Sequence, residues 1–132
     1  EGEGMATSII YSSTIKTTPA ILVEADHVSL MNFHIDATKV ANKDASIVAN
    51  CMVIEYRDCN YGFVSNLMSE GGHYGLWFNN RAGDSNKNMY HTAVNNDCFN
   101  GFSAGIICTR AIHPHIALNR CFDRSYFDLL QC

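Results

Sequence analysis

Acidic and amide side chains recur at one position of a repeated segment, and paired carboxylates are the groups that hydrolyse glycosidic bonds. The repeated segments begin with asparagine and span residues 32–36, 66–70, 96–100 and 119–123. Stacking of these segments would make Asp36 and Glu70 neighbours. It would place Asp123 two levels from Glu70, with Asn100 between them, close to the roughly 6.5–9.5 Å at which inverting glycosidases hold their carboxyl groups. Glu70, Asp123 and Asp36 are therefore the predicted catalytic residues; the alternative is that acids and amides here form Asx turns.

Arginine, amide and aromatic side chains follow the apolar runs and could bind a sugar. The predicted ligand-binding residues are Arg57, Arg81, Arg110, Tyr56 and Asn80. Arginine and asparagine beside an aromatic ring bind acidic sugars through charged hydrogen bonds and stacking. A solvated outer face held together by Asp58 and the arginines is the alternative. Glu55 with Asp58 is a second candidate acid–base pair.

The elements that position these side chains are short apolar runs separated by Gly, Asn and Asp. The initial asparagines lie 34, 30 and 23 residues apart, which is typical of stacked turns with insertions of different length. Equivalent residues of a parallel stack lie above one another and form columns. The predicted inner columns are Val53, Leu76, Ile106 and Leu129, and Leu30, Val64, Val94 and Ala117; the predicted amide ladder is Asn32, Asn66, Asn96 and Asn119. The sequence therefore predicts an all-β stack of coils.

A second apolar column runs beside the first inner one, and it predicts an interface. Its members are Ile54, Trp77, Ile107 and Leu130. Adjacent residues of a strand point to opposite faces, so one of the two apolar strips must face outward. Outward apolar strips usually mark a protein interface, with Trp77 as the largest anchor here. The alternative is that a loop, or a part of the chain outside this sequence, covers the strip.

Composition limits the classes of partner. The chain has 132 residues with 47% hydrophobic content, which suits one domain with a core. A net charge of −4 and only nine basic residues argue against nucleic acid as the main partner. No apolar stretch is long enough to insert into a membrane. The six histidines and six cysteines have no metal-ligand spacing, so no metal or cofactor is expected, and the thiols are expected to be reduced.

Residues 8–13 and 18–35 carry a family resemblance. They resemble the opening coils of right-handed parallel β-helix proteins, the pectate-lyase-like superfamily, and among these the bacteriophage tailspike and tail appendage proteins. The resemblance implies a right-handed parallel β-helix, or solenoid, of about five coils. It covers residues 7–132, with 1–6 as a loose lead-in, and a segment of a longer chain is expected. It lacks a pectinase-type active-site motif, so no catalytic residue carries over.

The resemblance also implies a function. Members of the group are often homotrimers that bind, and frequently cleave, polysaccharides on the bacterial surface. The expected protein is a virion tail component, assembled in the host cytoplasm beside other tail proteins. If it is an enzyme, it is a glycoside hydrolase or a polysaccharide lyase. A non-catalytic shaft or adhesin segment and a secreted polysaccharide-degrading enzyme remain the alternatives.

Overall fold

The computed structural model describes residues 9–11, 19–37 and 52–122, and these ranges contain β-strands but no helix. The strands are β1 (Ile9–Tyr11), β2 (Ile21–Val23), β3 (Ser29–Ala37), β4 (Met52–Arg57), β5 (Phe63–Gly71), β6 (Tyr74–Asn79), β7 (Thr92–Val94), β8 (Asp97–Phe99), β9 (Ile106–Thr109), β10 (His115–Ala117) and β11 (Arg120–Phe122). The prediction of an all-β chain is confirmed within these residues.

The strands form two parallel sheets, and the chain passes from one sheet to the other. The first sheet has the order β1-β3-β5-β7-β10, with β8 beside β5 and β11 beside β8. The second sheet has the order β2-β4-β6-β9. Each described strand pair is parallel and joins strands that are one pass apart. Equivalent residues of successive passes therefore lie side by side, as the repeat requires.

The inner column of the second sheet differs by one residue from the predicted column. Ile54 pairs with Leu76, and Leu76 pairs with Ile106. These three side chains are fully buried, whereas the prediction placed Val53 beside Leu76 and turned Ile54 outward. The observed register puts Tyr56 inside as well and places Glu55 and Arg57 on the outer face, where their charges meet partners. Leu129 and Leu130 lie outside the described residues.

The inner column of the first sheet also shifts by one residue. Leu30 pairs with Val64 as predicted, but Val64 pairs with Ala93 rather than Val94. Further along, Ala93 pairs with Ile116, so the apolar residues of β7 and β10 stay inside. The shift follows from the turns after these strands: the left-handed position is taken by Asn95, the first of two consecutive asparagines, after β7 and by Leu118 after β10.

Asparagines at these turns form a ladder in the left-handed backbone region. Asn32, Asn66 and Asn95 have φ of 59°, 50° and 56°. The side-chain amide of Asn66 donates to Asn32 Oδ1 at 3.0 Å, and that of Asn95 donates to Asn66 Oδ1. Asparagine tolerates this conformation better than other residues with a side chain. Leu118 occupies the next position, with φ of 56° and 82% of its surface exposed.

Asn96 and Asn119 form a separate column, directed inward, instead of continuing that ladder. Asn96 accepts the Leu67 N–H at 3.0 Å and donates to the Val64 carbonyl at 3.2 Å. Asn119 Oδ1 accepts the Asn96 N–H at 2.9 Å, and the Asn119 amide donates to the Ala93 carbonyl at 2.9 Å. The two side chains thus satisfy backbone groups that the break between consecutive strands would leave unpaired.

Cysteines occupy equivalent inner positions of neighbouring strands. Cys98 pairs in register with Cys121, and both are reduced, as are Cys59 and Cys108. A Cβ placed on Gly105 would lie 2.2 Å from the Cys121 sulfur and 2.7 Å from its Cβ. The interior beside this pair therefore has room for no side chain at position 105. Cys51 and Cys132 lie outside the described residues.

Candidate functional site

Two carboxylates meet on the outer face of the first sheet. Asp36 on β3 pairs in register with Glu70 on β5. Glu70 Oε1 accepts a hydrogen bond from the Asn100 amide at 2.9 Å, and Glu70 Oε2 lies 3.3 Å from His34 Nε2. Strand pairing places Phe99, not Asn100, at the position opposite Glu70, so Asn100 reaches the carboxylate from the adjoining turn. Asp123, the third predicted catalytic residue, lies outside the described residues.

The spacing of this pair has a chemical consequence. Neighbouring strands lie about 4.8 Å apart, so two in-register carboxylates on one face are separated by about one strand spacing. Retaining glycosidases hold their carboxyl groups about 5–5.5 Å apart, whereas inverting enzymes need roughly 6.5–9.5 Å. The backbone spacing of Asp36 and Glu70 is therefore closer to the retaining distance than to the inverting one. The predicted inverting pair of Glu70 with Asp123 involves a residue that the structure does not describe.

The same face continues past Glu70 with aromatic and charged side chains. Phe99 and Phe122 stack with ring centroids 5.1 Å apart, and Phe122 is 37% exposed. Arg120 forms a bidentate ion pair with Asp97, in which its Nε donates at 2.7 Å. Arg120 is fully exposed, so the pair adds little stability. The face thus combines carboxylates, an imidazole, an amide and phenyl rings, which are the groups that proteins use for sugars.

A buried carboxylate organises the arginines on the outer face of the second sheet. Glu55 is fully buried. Arg57 binds it through both carboxylate oxygens at 3.1 and 2.7 Å, the Asn79 amide donates at 2.6 Å, and Arg81 Nε lies 3.2 Å away. The hydrogen bond to Glu55 raises the pKa of Arg57. These contacts fully satisfy Glu55, so they do not favour it as an acid–base catalyst with Asp58, which accepts the Ala82 N–H at 3.0 Å.

Arg57 and Arg81 are engaged by Glu55, and the other predicted ligand-binding residues are dispersed. Tyr56 points into the interior, where its single O–H proton is shared between the carbonyls of Val28 and Phe63 at 3.2 and 3.3 Å, and burial raises its pKa. Contrary to the prediction, its ring is not available to stack on a sugar.

Asn80 stabilises a turn, and Arg110 is exposed beside that turn. The Asn80 amide donates to the Asp84 carbonyl at 2.8 Å, and its Oδ1 accepts the Gly83 N–H at 2.8 Å. A Cβ on Gly83 would lie 3.1 Å from an Arg110 nitrogen. The register aligns Arg57 with Asn79 and Thr109, so Arg57 and Arg110 do not lie in one column.

The predicted interface strip is only partly on the outer face. Trp77 and Ile107 pair in register there and are half-buried. Leu22 and Glu55 complete their column, because Ile54 lies in the core. Trp77 Nε1 donates to Thr109 Oγ1 at 2.8 Å, and the Arg81 guanidinium lies 5.9 Å from the Trp77 ring centroid.

A column of stacked aromatic rings lies at the turns between the second sheet and the first. The ring centroids of His27 and Tyr61 lie 4.6 Å apart, those of Tyr61 and Tyr90 5.5 Å, and those of Tyr90 and His113 5.4 Å. Interplanar angles of 4°, 5° and 20° make this a continuous stack. All four residues are exposed, the two tyrosines by 43% and 47%.

The histidines have no metal-ligand spacing in the sequence, and the four members of the column were not grouped there. The signal was present in the spacing. His27, Tyr61, Tyr90 and His113 each lie five residues before a left-handed position of the asparagine ladder, namely Asn32, Asn66, Asn95 and Leu118. The predicted ladder contained Asn96 where the structure has Asn95, and this error concealed the constant offset.

The residues of the aromatic column have a strained backbone conformation. Its four residues have φ between 52° and 61°, in the left-handed region. For a residue with a side chain this conformation costs about 1–2 kcal/mol, whereas an aromatic contact adds about 0.5–1.5 kcal/mol beyond the effect of burial. Four strained residues share three contacts, so stacking alone does not offset the strain. Strained residues that persist in a fold cluster at functional sites.

Within the described ranges, no group of three or more His, Cys, Asp or Glu residues could hold a metal ion. A search of the same ranges for a helix long and apolar enough to cross a membrane also finds none. Comparisons with protein-family models, with curated proteins and with solved structures found no significant match to the chain.

Proposed function

We propose that this chain is a segment of a right-handed parallel β-helix of the tailspike type, which binds and cleaves a bacterial surface polysaccharide. The alternation of the chain between two parallel sheets supports the β-helix, because successive passes add strands to both sheets in the same direction. The ladders of Asn, Cys and aromatic side chains support it as well, since like residues lie above like in a solenoid.

The observation that carries the proposed activity is the in-register pair of Asp36 and Glu70. Glu70, held by Asn100 and beside His34, attacks the anomeric carbon of the sugar, while Asp36 transfers its proton to the leaving glycosidic oxygen. Water then cleaves the glycosyl–Glu70 ester, and Asp36 takes the proton from that water. The reaction consumes one water per bond and retains the anomeric configuration.

A homotrimer and a place in a virion tail, beside other tail proteins, belong to the same proposal. The half-buried Trp77 and Ile107 support an interface on the second sheet, and Leu22, exposed by 40%, lies in the same column beyond Glu55. The outer face of the first sheet then remains accessible to the polysaccharide.

A non-catalytic shaft or adhesin segment is the second candidate. The contacts of Glu70 with Asn100 and His34 favour it, because a carboxylate whose two oxygens both have partners also serves to join neighbouring strands. In this function the chain positions a receptor-binding region elsewhere and breaks no bond.

Release of reducing ends from purified capsular and lipopolysaccharide glycans separates the two functions. We expect release by the wild type and a fall of about 10²–10⁴-fold in Asp36→Asn and Glu70→Gln. Glu24→Gln is the matched control, since Glu24 is an exposed acid near Arg57 on the other sheet. Sedimentation of each protein checks that assembly is unchanged.

The products identify the mechanism. Proton NMR of the first product should show the anomeric configuration of the substrate. Inversion would exclude Asp36 with Glu70 as the pair, and an unsaturated product would identify a lyase. Binding without release by the wild type would establish the non-catalytic function.

A further inference from the structure

The aromatic column of His27, Tyr61, Tyr90 and His113 offers mainly ring edges to a ligand. Neighbouring rings at 4.6, 5.5 and 5.4 Å cover both faces of the two tyrosines and one face of each histidine. What remains exposed is a line of polar edges, formed by two phenol hydroxyls between two imidazoles. Each of these groups can both donate and accept a hydrogen bond. A ligand recognised here must therefore carry hydroxyl groups along its length.

We propose that the aromatic column is a polysaccharide-binding surface distinct from the carboxylate pair, and that one sugar unit lies against each ring. The proposal rests on the proposed glycan-binding function and adds the site that holds the polysaccharide. The rings repeat once per strand spacing, and an extended glycan advances by a comparable distance per sugar. Successive sugars therefore meet successive rings in the same orientation, as a repetitive ligand on a repetitive surface requires.

The charged residues near the column indicate which class of polymer it binds. The column itself contains no lysine or arginine; Asp26 lies one residue before its first ring and accepts the Asn60 N–H at 2.8 Å, and Lys87 and Arg110 lie three residues before Tyr90 and His113. A nucleic acid requires a cation at each phosphate, and an acid rather than a cation accompanies the first ring, so this mixed surface suits a nucleic acid poorly. The bound polymer is a neutral or weakly acidic polysaccharide.

The carboxylate pair and the column lie on different parts of the chain. Asp36 and Glu70 belong to the far ends of β3 and β5, whereas His27 and Tyr61 precede the first residues of the same strands. On each pass seven strand residues separate them, and the asparagine turn at Asn32 or Asn66 lies among these residues. Loss of the column should therefore weaken binding while the chemistry at Glu70 stays intact.

The test is affinity electrophoresis in gels that contain the capsular or lipopolysaccharide glycan that retards the wild type most. The variant Tyr61→Phe with Tyr90→Phe removes two hydroxyls and keeps the stack. Measured in a Glu70→Gln background, where cleavage does not confuse retardation, it should bind about tenfold more weakly, since each hydroxyl contributes one hydrogen bond. Tyr74→Phe, which removes a hydroxyl from β6, is the matched control and should bind as the wild type does.

A second variant tests the rings themselves. Tyr61→Asn with Tyr90→Asn removes both rings but places a residue that suits the left-handed backbone, so the fold should persist. Circular dichroism and urea unfolding check that it does. We expect it to bind more weakly than the phenylalanine variant.

The outcomes distinguish the two proposals. Retardation of all variants equal to that of the wild type would overturn the column as a binding surface and leave the carboxylate proposal intact. Weaker binding of both column variants, with release by the Tyr61→Phe and Tyr90→Phe protein restored at high glycan concentration, would support both. A wild type that no glycan retards, but that a host protein binds, would overturn the glycan ligand altogether.

Discussion

Acid should destabilise this protein through one buried histidine. His91 is fully buried, its Nδ1 accepts the Gly62 N–H at 3.0 Å, and its ring stacks on Phe78 at 4.5 Å. Burial lowers the pKa of His91 to about 4, below its ordinary value of 6.5. The unfolded chain therefore binds the proton more tightly than the folded chain does. Stability is complete above about pH 6.5 and is lost as the pH falls towards 4.

The magnitude follows from the two pKa values. At pH 4.5 the unfolded histidine is two pH units below its pKa of 6.5, and the folded one is still mostly neutral. Each unit corresponds to about 1.4 kcal/mol, so protonation of the unfolded state alone lowers the free energy of unfolding by about 2–3 kcal/mol. A loss of this size is a large share of the stability of an ordinary domain.

Urea unfolding at pH 7.5 and pH 4.5, followed by the fluorescence of Trp77, the single tryptophan, measures this loss. His91→Phe keeps a ring against Phe78 but cannot titrate. It should be less stable at pH 7.5 by about 1–3 kcal/mol, because the Gly62 N–H loses its acceptor. It should lose about 2 kcal/mol less than the wild type between the two pH values.

The exposed His115 supplies the control. His115→Phe removes a histidine from the surface and should keep the full acid sensitivity of the wild type. Equal losses of stability in the wild type and His91→Phe would refute the assignment of the acid sensitivity to His91.

Two further predictions concern the ladders. Leu118→Asn should raise the free energy of unfolding, measured in urea, by about 0.5–1.5 kcal/mol, because asparagine suits the left-handed turn and can donate to Asn95. A lower urea midpoint would show that asparagine does not extend the ladder to this position. The control Leu118→Gly measures the relief of backbone strain alone. Gly105→Ala should lower the free energy of unfolding by about 1–3 kcal/mol, because the new Cβ would lie 2.2 Å from the Cys121 sulfur. Adding Cys121→Ala to this variant should restore part of the loss. An unchanged urea midpoint in Gly105→Ala would contradict the close packing.

Local pattern was sufficient for the class of fold. Short runs rich in Val, Ile, Phe and Tyr, separated by Asn and Gly, are typical of strands, and recurrence of like residues predicts that they stack in parallel. The pairing of Asp36 with Glu70 could be predicted for the same reason. Both residues lie four positions after an asparagine that begins a strand segment, and β3 and β5 keep one register over their whole length.

The register of other strands could not be read from the sequence, because adjacent residues there are equivalent by type. Val53 and Ile54 are both apolar, so either could face inward, and a shift of one residue exchanges the two faces of a strand. Asn95 and Asn96 pose the same ambiguity at a turn. The aromatic column was overlooked because the predicted ladder contained Asn96 and Asn119. Counted from that ladder, His27 and Tyr61 lie five residues before an asparagine but Tyr90 and His113 lie six, so the four do not appear equivalent.

The sequence by itself determined that the chain forms short parallel strands with asparagine at the turns, because these properties depend on residue type and spacing within one segment. The tertiary structure alone decided that Ile54 and Tyr56 lie in the core, that Glu55 gathers Arg57 and Arg81, and that four aromatic rings stack. Each of these depends on which residue of the next strand lies opposite. That choice is set by the total burial of apolar side chains and the pairing of charges over all strands at once.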